Sequence, residues 1–343
     1  MRKGKKIYIQ AVFLLFLVVG TILIIRQQQD MPYQHNEGFI FGTVYHATYQ
    51  YDKDLNKEIV TELNKVDEEF SMFNKRSMVT AFNQGRQIEA SKMFMEVLTL
   101  SQAINKETDG AFDITVAPLV NAWGFGFKHQ QLPNRQQVDS LRALMGMQYI
   151  KVEHTGEKNI VKTDHRGLML DFSAIAKGYG SDAVAAVMRR HDIKNYMIEI
   201  GGEIVTSGIS EKRLPWKIGV TKPSDDSLST NQNLQTVLNV TDKAMATSGN
   251  YRNFYYKNGK KLAHTIDPRT GYPVQHSLLS ATVLAHSCAE ADGYATAFMV
   301  LGIEKSKAVL DKHPELMAYF IYADKDGKTK VWYSPSLEKT LVK

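Results

Sequence analysis

Apolar residues run almost without a break from residue 7 to residue 25, interrupted only by Gln10, Gly20 and Thr21. A helix over these positions extends about 28 Å, enough for a membrane span. Beyond a polar stretch at 30–37, Phe39, Phe41, Thr43, Tyr45, Ala47 and Tyr49 alternate with their neighbours, which predicts a strand pair over 39–50. Leu55, Ile59, Leu63, Val66, Phe70 and Phe73 keep the three-to-four spacing of one buried helical face. Ser91 is placed to cap a helix ending before Gly110. Residues 168–172 read as a strand leading through a capping Ser173 into a helix that carries Val184, Val187 and Met188. Ser287 and Glu290 have capping-box spacing at the start of a helix that Gly302 stops. β-type runs occur at 195–200, 216–221, 280–285, 317–323 and 329–333, the last two joined around Asp326-Gly327, and 128–137 and 222–236 read as loops. Strands and helices alternate irregularly, so the class is α+β. The predicted organisation is a basic flank and membrane anchor at 1–29, a tether at 30–38 and one large domain over 39–343.

Charge changes the picture little beyond the first segment. Of the formal +6, Arg2, Lys3, Lys5, Lys6 and Arg26 account for five with no acid among residues 1–29, leaving +1 for the rest. A basic footprint for nucleic acid is therefore missing. The flank predicts the N-terminus inside and the domain outside the cytoplasm. The apolar run is long for a cleaved signal peptide and lacks a small-residue cleavage site, which favours an uncleaved, single-pass anchor in the inner membrane. Cys288 is the sole cysteine, which rules out an intramolecular disulfide, and it reads as a buried, inert thiol. No CxxC or HExxH pattern points to zinc.

Candidate chemistry concentrates in five segments. Ala263-His264-Thr265-Ile266-Asp267-Pro268-Arg269-Thr270-Gly271 places an imidazole, a carboxylate and a guanidinium on a bent loop. On the helix after Ser287, Asp292 and Thr296 stand at i and i+4, two hard oxygen donors on one face that suit Mg²⁺. An Asp–Thr pair on a helix is more commonly solvated or capping, and a lone histidine beside Asp-Pro is ordinarily a loop residue. Residues 110–126 mix turn glycines with aromatics, a composition suited to a flat ring, although Trp123 and Phe125 read as core. Residues 171–180 contain Lys177, equally a phosphate-neutralising charge or a surface residue. Residues 198–204 form a strand ending at Gly201-Gly202, where a ligand can approach the backbone.

Read in order, GT-x-Y from Gly42, the 110–126 segment, D-F-S-A-I-A-K-G-Y from Asp171, E-I-G-G-E-I from Glu199, T-S-G-N-Y-R from Thr247, H-T-I-D-P-R-T-G from His264 and A-D-x-x-A-T-A from Ala291 resemble the ApbE family of FAD:protein FMN transferases over residues 39 to about 303. The resemblance implies a T-fold-related, two-lobed α+β domain of a bacterial extracytoplasmic enzyme. Its activity would be Mg²⁺-dependent transfer of the FMN half of FAD to a threonine or serine hydroxyl, releasing AMP. It also implies Asp292, Thr296 and the carbonyl of Ala174 as metal ligands, His264 as the acid–base residue, and Phe41, Phe73, Ala111, Phe112, Asp113, Asp171, Lys177 and Thr265 as FAD contacts. Phe41 and Phe73 stand where the family often has methionine and tyrosine. The acceptor would be a protein with a Thr/Ser flavinylation segment, in the family commonly a membrane redox subunit. An FAD pyrophosphatase using the same pocket, or a non-catalytic flavin-binding protein, remain alternatives that the sequence leaves open.

Overall fold

Eight strands hydrogen-bond into one antiparallel sheet, and their order across the sheet is their order along the chain. The computed structural model describes residues 2–126, 132–223, 233–250, 254–257 and 260–342. The strands are β1 (Tyr33–Ile40), β2 (Thr43–Gln50), β3 (Tyr196–Ile200), β4 (Glu203–Ser207), β5 (Ala244–Gly249), β6 (Leu278–Ala285), β7 (Met317–Ala323) and β8 (Thr329–Tyr333). Among the labelled helices, α1 is Arg2–Asp30, α2 Asn56–Phe70, α3 Lys92–Glu107, α4 Ala176–Arg190 and α5 Cys288–Leu301.

Period-two alternation assigns the two faces of the sheet. Val205, Ala244, Val283 and Phe320 point into the cores shared with the helices, whereas their neighbours Ile204, Met245, Leu284 and Ile321 pack with Ile218, Val220, Leu238 and Val240. The latter four come from a two-stranded ribbon, Trp216–Thr221 with Leu234–Val240, that covers the far face. A smaller sheet of Ile88–Ala90, Lys151–Thr155 and Lys158–Lys162 also forms.

Several expectations hold in detail. Ser91 accepts from Phe94 N–H at the start of α3, and Ser287 accepts from Glu290 N–H at the start of α5, which Gly302 ends with φ of 75°. The α+β class and the hairpin at Asp326-Gly327 form as expected.

Other expectations are corrected. The polar stretch at 30–37 is no free tether from Tyr33 onward, because Tyr33 pairs with Gln50 and its hydroxyl donates to Ile209 O at 2.8 Å. Phe73 lies beyond the end of α2 and is 68% exposed. Residues 168–172 form no strand, and Ser173 caps no helix: its N–H and hydroxyl both bond to Asp171, two residues back. The loop expected at 128–137 already turns helical at Arg135, where Asn134 and Gln137 form a capping box; its residues 128–131 lie outside the described residues. Likewise Leu234–Thr236 belong to the ribbon, while 224–232 lie outside the description.

The N-terminal helix forms, but among the described residues no helix is long and apolar enough to cross a membrane. The transmembrane span expected from the sequence is corrected on this point.

Candidate active site

Two helices brace each other at their starts. Asp182 of α4 accepts from the N–H groups of Cys288 and Ala289, at 2.9 and 2.8 Å, in the first turn of α5. Asp292 of α5 in turn accepts from Gly178 N–H, at 3.1 Å, in the first turn of α4. Each carboxylate thus satisfies orphan donors at the positive end of the other helix. Close approach is a requirement of this arrangement, because a Cβ on Gly178 would lie 2.3 Å from Cys288 O. Burial raises the Asp182 carboxyl to about 6 despite those two amides. Cys288 is fully buried and burial pushes its thiol well up, so it is no nucleophile, as expected.

Beside this brace lies a cavity of about 450 Å³, within the range of small-molecule and cofactor sites. One wall is ionic. Lys177 Nζ, in the first turn of α4, stands 3.1 Å from Glu203 Oε1 and 3.6 Å from Asp292 Oδ2. Burial alone would depress the lysine, but Asp292 and Glu203 hold it charged and raise it. Glu203 is pushed up by burial against the pull of Lys177, and its Oε2 is buried without a hydrogen-bond partner among the described residues. Gly201 and Gly202 have φ of 62° and 102°, the positive values a two-residue hairpin needs, and so deliver Glu203 to the wall at the first position of β4. Thr296, one turn beyond Asp292, shares a hydrogen bond of 3.2 Å with Ser248 of β5.

Another part of the lining is built from two Asx turns. Asp113 accepts from the N–H and hydroxyl of Thr115 at 2.7 and 2.6 Å, and Asp171 accepts from those of Ser173 at 2.8 and 2.5 Å. The turns are joined by Asp171 N–H donating to Ile114 O at 2.7 Å. Burial raises both carboxyls and the local hydrogen bonds oppose it. Ala111 and Phe112 sit on the same segment, with Phe112 packed into the core.

His264 closes the cavity between the strand Lys260–Ala263 and Ile266–Asp267, its ring edge-on to Phe125 at 6.3 Å. Thr265 donates to Asn250 Oδ1 at 2.7 Å. The carboxylate and guanidinium that follow are turned on each other: Arg269 Nε and Nη2 donate to the two oxygens of Asp267, both at 2.9 Å. Trp123 Nε1 donates to Gly271 O at 2.8 Å, pinning the far end of the loop. Asp267 and Arg269 are therefore scaffold for His264.

Of the residues singled out from sequence, Phe73, Ala111, Phe112, Asp113, Asp171, Ala174, Lys177, His264, Thr265, Asp292 and Thr296 all line this cavity. Phe41 does not. It occupies the β1–β2 turn with φ of 52°, and its ring fills the place where a Cβ on Gly180 would lie, 2.6 Å away. Sequence reasoning set Phe125 aside as core and passed over Glu203, Thr247 and Ser248, which also line the cavity. The Gly201-Gly202 pair and the Thr247-Ser248-Gly249 segment were the available signals.

Fold and site together define a mixed α+β protein whose sheet and paired helices line a pocket with an anionic, lysine-bearing wall and an imidazole. The chain matches the ApbE family over residues 41–320 and belongs to it. It is 34% identical over 316 residues, 89% of this chain and 88% of the relative, to a FAD:protein FMN transferase of Escherichia coli K12. A FAD:protein FMN transferase of Vibrio cholerae is 36% identical over 316 residues, covering 88% and 92%. Among solved structures, the flavin transferase ApbE from Vibrio cholerae superposes with a TM-score of 0.81 at 34% identity, over 91% of this chain and all of that one.

Proposed function

We propose that the chain is a flavin transferase that moves the FMN half of FAD onto a threonine or serine hydroxyl of an acceptor protein and releases AMP. The observation that carries this reading is the convergence of His264, Lys177, Asp292 and Thr296 on one cavity in a member of a family whose relatives bear that activity in their names.

Magnesium fits the donors present. Among the described residues Asp292 and Glu203, both almost fully buried, share a single lysine, so the wall carries excess negative charge when ionised, and Glu203 Oε2 has no hydrogen-bond partner. Among the described residues no group of three or more His, Cys, Asp and Glu side chains could hold a metal. One carboxylate with a hydroxyl and a carbonyl instead suits a hard ion that keeps other positions for water and phosphate. Asp292, Thr296 and the carbonyl of Ala174 would hold it, and when bound it supplies charge neutralisation at a pyrophosphate. Lys177 offers its ammonium to phosphate oxygens. The Asp113 and Asp171 turns and Phe73 hold the dinucleotide, and His264 takes the proton of the attacking hydroxyl.

The acceptor in this reading is a membrane redox subunit, met on the extracytoplasmic side of the inner membrane. The basic start of the chain and the exposed apolar side chains of α1 support that location, and protease access in intact spheroplasts tests it. The activity is tested by incubating the protein with FAD, Mg²⁺ and an acceptor peptide. AMP and flavinylated peptide should form in equal amounts, with none from a peptide whose threonine is alanine. Free FMN at the same rate with either peptide would replace transfer by hydrolysis. His264→Ala should keep FAD binding and lose roughly 10²–10⁴-fold in transfer rate, the range of a general acid–base group.

A further inference from the structure

Glu203 has no part in the reaction just described, yet it is the carboxylate nearest the ammonium of Lys177. Lys177 Nζ lies 3.1 Å from Glu203 Oε1 and 3.6 Å from Asp292 Oδ2. The second of these contacts is a problem for a metal site, because an ammonium and a divalent cation compete for the same carboxylate. Without another anion close by, Lys177 would settle on Asp292 and occupy the charge that the cation needs. Glu203 is held in place to prevent this. Its backbone carbonyl accepts from Ser181 Oγ of α4 at 2.9 Å, the glycine hairpin fixes its approach, and its side chain is 4% exposed. The unpartnered Oε2 is also explained. A buried carboxylate oxygen without a donor is costly, but here it gives the ammonium a second acceptor on Glu203 when the contact to Asp292 is given up.

We propose that Glu203 is a positioning residue that holds Lys177 off Asp292, so that Asp292 remains available to a divalent cation while the ammonium stays on the cavity wall. The proposal rests on the reading that Asp292 is a metal ligand. Glu203 itself touches neither metal nor substrate in it. The role is one of keeping two cations apart in a small buried volume.

Titration of the full chain with Mg²⁺ alone, followed by calorimetry, tests it. Glu203→Gln keeps the shape of the side chain and removes its charge. It should weaken Mg²⁺ binding about 10–100-fold, the usual effect of losing a partner behind a metal ligand. Lys177→Met removes the competitor and should bind Mg²⁺ at least as tightly as wild type. The double variant should return to the affinity of Lys177→Met, a coupling that a merely structural role or direct ligation by Glu203 would not produce. Glu203→Gln with wild-type affinity overturns the proposal, as does a double variant as weak as Glu203→Gln. Should Glu203→Gln fail to fold, a loss of about tenfold or more in Lys177→Met alone overturns it as well. Equal Mg²⁺ binding by wild type and Asp292→Ala would instead sink the metal reading on which the proposal stands.

Discussion

The carboxylates around the cavity fall into two groups. Asp113, Asp171 and Asp267 are each answered by a donor two residues further along the chain: Thr115, Ser173 and Arg269. Asp182, Asp292 and Glu203 are answered chiefly from far away in sequence, by Cys288 and Ala289, by Gly178, and by Lys177. Local answers shape loops, and those loops keep their geometry largely by themselves. Distant answers exist only once α4 has met α5 or β4, and the proposed chemistry sits on them. Scaffold and reactive wall are therefore separable by sequence distance, and substitutions test whether that separation is real.

The largest difference should appear between Asp292 and Asp267. Asp292→Ala removes the proposed charged metal donor, and AMP release with FAD and Mg²⁺ should fall roughly a thousandfold, about 4 kcal/mol of barrier. Asp267→Ala breaks a fork of hydrogen bonds with Arg269 and should cost about 1–3 kcal/mol in urea unfolding, with AMP release reduced less than about tenfold. Equal losses of rate in the two variants would erase the distinction.

A smaller effect is expected where the helices touch. Gly178→Ala sets a methyl group 2.3 Å from Cys288 O, a backbone atom that cannot step aside, so α4 and α5 must separate. Overpacking of this kind costs about 1–3 kcal/mol, and denaturant unfolding should show it together with weaker Mg²⁺ binding. Unchanged stability would mean that the brace is looser than its geometry.

The smallest effect is a pH dependence. Asp182 is raised by burial to about 6, above its unfolded value near 3.8. Its contribution to stability is thus fully present below about pH 4 and lost as pH rises through 6. Relative to Asp182→Asn, wild type should gain about 1 kcal/mol between pH 7 and pH 5 in paired unfolding curves, at 1.36 kcal/mol per unit. A constant difference across that range would show that the two amides of α5 fully offset burial.

Sequence distance also decides what can be read without a structure. The Ser287 cap, the Gly302 stop and the i, i+4 pairing of Asp292 with Thr296 are local, and they form as the spacing predicts. Ser173 misled because Asp171 claims the hydroxyl that would otherwise cap a helix. Phe73 fits the helical period yet falls beyond the turn that ends α2, since periodicity carries no information about where a helix stops. Glu203 was passed over as a site residue, although the glycine pair marks its position, because its partner, Lys177, belongs to the helix before β3 and no pattern within a short window links them. Of the site residues that the family resemblance implies, all but Phe41 line the cavity, while Thr247 and Ser248 were left unassigned.

The mutual bracing of α4 and α5 also dictates when the pocket can exist during synthesis. Half of each brace lies in Cys288–Leu301, so a nascent chain that has already formed β1 to β5 still lacks the carboxylate of Asp292 that completes the ionic wall. Contacts between segments so far apart form late and slowly in folding. A ribosome-bound or truncated chain ending before residue 288 would carry the Asx-turn loops and Lys177 but no Asp292, and so would lack the carboxylate proposed to draw a metal ion into the site.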